Sequence, residues 1–126
     1  METKDHAKDQ AKAQFRSICE MVKALDTKDD YKREQAEQTI QEDALSVEVR
    51  SDWYQPGESA EPSEFMILLC TGGPACRIIG ELDQYKQPSS ARIEYQDWGT
   101  PWTEFRLDAE QEETLLTYCR QFWFGE

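Results

Sequence analysis

FMILLCTGGPACRIIGEL, residues 65–82, followed by SARIEYQDWGTPWTEFRL, residues 90–107, is the stretch that decides the fold class. From Phe65 to Cys70 every side chain is apolar, which suits a strand covered wholly or partly on both faces. Thr71-Gly72-Gly73-Pro74 reads as a tight hairpin corner, because glycine accepts positive φ without steric cost. Ala75 to Leu82 is then the return strand, and 83–90 is a second turn. Ala91, Ile93 and Tyr95 alternate with Arg92, Glu94 and Gln96, the period of a strand with one buried and one wet face. The loop Asp97-Trp98-Gly99-Thr100-Pro101-Trp102 leads into a short last strand, in which Thr103, Phe105 and Leu107 alternate with charged residues.

Working outward, Val47, Val49, Ser51 and Trp53 alternate with Glu48, Arg50, Asp52 and Tyr54, predicting a further strand with the first set buried. Residues 55–63 form a polar loop with two prolines. Ahead of the sheet, Ala11, Phe15, Ile18, Val22 and Leu25 recur at helical spacing over 7–25. Thr27, Asp29 and Asp30 are competent N-caps for a second helix over about 31–44, with Tyr31, Ala36, Ile40 and Ala44 on a thin apolar face. An αα-hairpin is expected, with a single bent helix as the alternative. At the other end, Asp108 and Gln111 form a capping-box pair and acids fill the first turn of a helix over 108–124. Leu115, Tyr118, Cys119 and Phe122 form its apolar stripe.

The expected class is α+β in one domain spanning 1–126. A helical hairpin (1–45) precedes a four- to five-stranded antiparallel meander (46–107), and the C-terminal helix (108–124) packs on one sheet face. A chain of 126 residues buries roughly two-thirds of its unfolded surface and needs no disulfide or metal staple.

Composition narrows the function classes. Fourteen basic residues against 26 acidic ones give a net charge of −12, a field that repels phosphate backbones and anionic lipid heads. Direct nucleic-acid or membrane binding is disfavoured, and a protein partner with a basic surface is favoured. The N-terminal segment is charged from its second residue and lacks an apolar signal region, and 65–70 is too short to cross a bilayer. A cytoplasmic location follows as the expectation.

Chemistry-bearing residues are few. The single histidine, His6, sits where a helix end frays, so it reads as a solvated side chain rather than a positioned base. Cys19, Cys70, Cys76 and Cys119 match no zinc spacing and read as reduced thiols, with Cys70 and Cys76 brought near each other by the glycine corner. A redox pair there is the sharper alternative. A cysteine nucleophile would need a base that the chain does not offer, and the Gly-Gly-Pro corner lacks the lysine of a phosphate loop. Glu94, Asp97 and Glu104 surround the tryptophan loop and could do paired-carboxylate work. With so many acids in the chain, such proximity also arises without catalysis. No catalytic residue, cofactor or metal is assigned.

The strongest functional lead is aromatic. Tyr54, Trp98 and Trp102 fall on the charged face or its rim, where tyrosine and tryptophan serve as binding anchors, although a satellite core under the loop would use the same residues. Glu94, Asp97 and Glu104 would add complementary charge.

Residues 44–54 (ALSVEVRSDWY), 67–83 (ILLCTGGPACRIIGELD), 93–104 (IEYQDWGTPWTE) and 118–126 (YCRQFWFGE) together resemble an uncharacterised family of small acidic proteins encoded on bacteriophages, plasmids and integrative elements of proteobacteria. The likeness spans roughly residues 10–126 and departs mainly in extra cysteines, Cys76 among them. It implies a mobile-element protein that modulates host machinery, for example an inhibitor of a defence system such as CRISPR or restriction, or a nucleic-acid mimic. The combined expectation is a non-enzymatic binding protein acting by protein–protein contact. A small enzyme using carboxylates near the tryptophan loop and a structural homo-oligomer joined through helix 7–25 are the alternatives.

Overall fold

The computed structural model describes residues 6–71, 74–97 and 100–124. The elements are α1 (His6–Ala24), α2 (Asp30–Asp43), β1 (Ser46–Ser51), β2 (Pro62–Cys70), β3 (Ala75–Leu82), β4 (Pro88–Gln96), β5 (Thr103–Phe105) and α3 (Ala109–Cys119). The five strands form one sheet in the order β1-β2-β3-β4-β5, every neighbour antiparallel. This is the expected α+β meander with two helices before it and one after.

The helices form where the sequence supplies both a stripe and a start. On α1, Ala7, Ala11, Phe15 and Ile18 are buried, at the spacings of three and four that line one helix face. For α2 the cap is Asp29, whose side chain accepts from the amides of Tyr31 at 3.0 Å and Lys32 at 3.2 Å. The Asp108–Gln111 capping box opens α3, with both reciprocal bonds made, at 2.8 and 2.9 Å.

All three helices lie on one side of the sheet. Phe65, Ile67 and Leu69 of β2, Cys76, Ile78 and Leu82 of β3, and Ala91 and Ile93 of β4 are buried beneath them, while their alternates are not. α1 lies against β3, β4 and β5, and α3 lies against β4 and α1. Gly80 faces Phe65 across the ladder. A Cβ there would stand 2.0 Å from the Ser90 carbonyl oxygen and 2.8 Å from the Phe65 ring, so only glycine fits beneath that ring. The Phe65 ring also meets Phe124, with centroids 4.8 Å apart.

Several expectations need correction; β2 begins at Pro62 and β4 at Pro88, inside the stretches expected as loop and turn. Tyr31 is exposed, because α2 touches α1 through Ala36 and Ile40 and turns its first turn to solvent. β1 ends at Ser51, and Val47, Val49 and Trp53 are exposed rather than buried, because the helices pack against β3, β4 and β5 instead of β1. β5 stops at Phe105 instead of Leu107, since the chain must turn toward the α3 cap at Asp108. α3 ends at Cys119 rather than near residue 124: Arg120 caps it, and the tail folds back to place Phe122 on Tyr118 and Phe124 on Phe65. The reading of Gly72 and Gly73 as the hairpin corner, and that of the His6 side chain, lie outside the described residues.

The candidate interface on the open face of the sheet

The strand alternates that turn away from the helices form the other face. The register sorts them into three rows. One runs Arg50, Glu64, Glu81, Ser90; the next Glu48, Met66, Ile79, Arg92; the third Ser46, Leu68, Arg77, Glu94, Glu104. The middle row is apolar at its centre and charged at its ends. A groove of about 420 Å³ follows it, lined by Glu48, Arg50, Glu64, Met66, Ile79 and Arg92 among others.

Ion pairs fix the charged side chains. Arg77 approaches Glu94 at 2.7 Å and Arg92 reaches the same carboxylate at 3.0 Å. Burial raises the Glu94 carboxyl, but hydrogen bonds from Arg77 and Arg92 outweigh it and hold the group below the usual carboxylate range. Glu94 is therefore ionised at neutral pH and already committed within the sheet, with its side chain 12% exposed. That arrangement suits an architectural charge rather than a proton donor. Arg77 lies 4.0 Å from the centroid of the Trp102 ring, which covers it as a cation–π lid, and it donates toward the Met66 sulfur at 3.6 Å. Arg50 meets Glu64 at 2.6 Å at the far end of the face, and hydrogen bonding to Arg50 lowers the Glu64 carboxyl.

The sequence-predicted contact residues are placed as follows. Trp102 is half-buried on the open face, stacked on Arg77. Glu94 lies beneath that same guanidinium, and Glu104 is its exposed neighbour on β5. Asp97 belongs to the turn closed by Thr100, whose hydroxyl accepts from the Asp97 amide at 3.0 Å. Trp98 lies outside the described residues. Tyr54 is exposed in the β1–β2 loop, at the end of the sheet where Ser51 pairs with Pro62. The tryptophan loop joins β4 to β5 at the opposite end, beyond the Tyr95–Thr103 pair. Trp102, Glu94 and Glu104 are thus brought together, and Tyr54 is not among them. Arg77 and Arg92 are expected on the open face from strand alternation, whereas Met66 and Ile79 are not singled out by the sequence, because residues 65–70 are uniformly apolar and Ile78 and Ile79 are adjacent.

Other candidates resolve simply. Cys70 and Cys76 are register partners across the β2–β3 ladder, as expected from the corner between them. Burial pushes the Cys76 thiol up to about 12 and raises Cys70 as well, so both remain protonated. The apolar stripe of α1 packs into the core through Ala11, Phe15 and Ile18. Among the described residues no group of three or more His, Cys, Asp or Glu side chains is placed to hold a metal ion, and no helix is long and apolar enough to cross a membrane.

Comparison with known proteins gives no match: no family model, no curated protein and no solved structure matches the chain.

Proposed function

We propose that the protein is a binding protein that meets another protein through the open face of its sheet. The observation that carries this reading is the middle row, where Met66 and Ile79 sit between Glu48 and Arg92 and, among the described residues, no helix lies over them. Apolar side chains framed by fixed charges and a broad, shallow groove form a contact surface for a macromolecule. The arginines are pre-ordered by Glu64 and Glu94, so a partner would not bear the full cost of immobilising them.

The net charge of −12 acts at longer range, steering the domain toward a basic partner. Glu48 and Glu104, exposed at the two margins of the face, would meet that partner's cations. Given the resemblance to mobile-element proteins, host machinery is the proposed partner class, with occlusion of a basic surface as the mechanism and a defence complex as one instance.

The test is affinity capture from bacterial host lysate with three baits: the wild-type chain, Met66→Glu with Ile79→Glu on the open face, and Tyr31→Ser on the helix side. The proposal expects one partner to be retained by the wild type and by Tyr31→Ser and lost with the open-face variant, whose circular dichroism remains native. Retention of that partner by the folded open-face variant would refute it.

A further inference from the structure

The two edges of the sheet are built differently. β5 is three residues long and follows Pro101, a short edge of the kind that resists further pairing. β1 is six residues long and carries no proline, lysine or glycine. Val47, Glu48, Val49 and Arg50 are all exposed, and among the described residues no strand lies beyond β1.

The backbone direction along β1 can be read from its neighbours. The Leu45 amide donates to the Leu68 carbonyl at 2.8 Å, and the Arg50 carbonyl accepts from Ser63 Oγ, so the groups of Ser46, Glu48 and Arg50 turn toward β2. Alternation then points the amides and carbonyls of Val47, Val49 and Ser51 outward, a ladder edge ready to pair.

The side chains select the partner. In an antiparallel pair related by a two-fold axis at Val49, Val49 lies opposite Val49 of a second copy and the two exchange both backbone bonds. Val47 pairs with Ser51 in the same way, and Glu48 falls directly opposite Arg50 on the open face. Just beyond the two ends of β1, Leu45 and Trp53 are exposed apolar side chains. Shifting the axis to Glu48 opposes two carboxylates, and shifting it to Arg50 opposes two guanidiniums. An axis at Val47 leaves Glu48 against Ser46. β1 is therefore self-complementary in one register.

We propose that a second copy of this chain pairs with β1 edge to edge about Val49, making one continuous sheet with both open faces on the same side. This interface uses the edge and leaves the open face free, so it stands or falls separately from the binding reading.

Sedimentation velocity of the full chain, from roughly 1 to 200 μM, reads the association directly. A concentration-dependent dimer is expected, strengthened by salt, because each copy carries −12. Val49→Pro removes an outward-facing amide and is expected to give a monomer with a native circular dichroism spectrum. Glu48→Arg and Arg50→Glu each place like charges together and are expected to weaken the dimer about tenfold or more. Mixing those two variants restores opposite charges at both positions and is expected to restore the dimer. A wild-type chain that stays monomeric over the whole range, or a dimer that survives Val49→Pro and shows no rescue on mixing, overturns the proposal.

Discussion

The two faces of the sheet use the same strands to opposite ends. Under the helices, Phe65, Ile67, Cys76, Ile78 and Ile93 are sealed from water, and Gly80 leaves the gap that the Phe65 ring fills. On the other side the adjacent residues Met66, Ile79, Arg77 and Glu94 stay partly exposed, held by ion pairs and a cation–π contact. Stability resides in the first face, where burial of apolar surface is complete. The second face is ordered without being buried, which is the state a recognition surface requires. The contrast teaches that the uniformly apolar run of β2 serves both: its odd residues build the core and its even residues line a groove.

Substitutions can break this comparison. The largest effect is expected on the sealed face, from Gly80→Val. The new side chain collides with the Ser90 carbonyl and the Phe65 ring, and a loss of about 3 kcal/mol or more follows from overpacking, read by urea titration. Next comes Glu94→Gln on the open face, which leaves Arg77 and Arg92 without their shared carboxylate and is expected to cost about 1–2 kcal/mol at pH 7. The same residue sets a pH dependence. Its folded carboxyl lies below the ordinary value of 4.5, so its contribution is present above that value and is lost as pH falls through the folded one. The gap between wild type and Glu94→Gln should therefore narrow below pH 4.5 in thermal melts. A smaller change is expected from Tyr118→Phe, which removes the 2.8 Å bond from the buried ring to Asp43 at the end of α2. Because Asp43 is half-exposed and regains water, the loss should be about 1 kcal/mol.

Most of the fold was legible because its signals are local. The Asp108–Gln111 box, the Asp29 cap, the α1 stripe and the alternation in β4 each depend on residues within a few positions of one another. What escaped reading depends on contacts made far along the chain. Val47, Val49 and Trp53 follow a perfect alternation, yet the helices that would cover them pack on β3, β4 and β5, and all three stay exposed. Phe122 continues the helical stripe, yet α3 ends at Cys119 and the tail carries Phe124 onto Phe65 of β2, a partner far along the chain. At the candidate site, Trp102 and Glu94 were found by composition, but their common partner Arg77 lies on another strand and needed the register. Tyr54 was grouped with them by face alone, although face says nothing about which end of the sheet a residue occupies.

Ile78 and Ile79 offer the sharpest comparison, being the same residue type at adjacent positions of β3 that point to opposite faces. Each should be replaced by threonine, which keeps the β-branched shape, and the two thermal melts compared with wild type. Ile78→Thr is expected to lower Tm by about 10 °C or more, from a buried cavity and a stranded hydroxyl, and Ile79→Thr by less than about 4 °C. Equal large losses would mean that the face bearing Ile79 is sealed in solution, and would contradict the account of one closed and one open side.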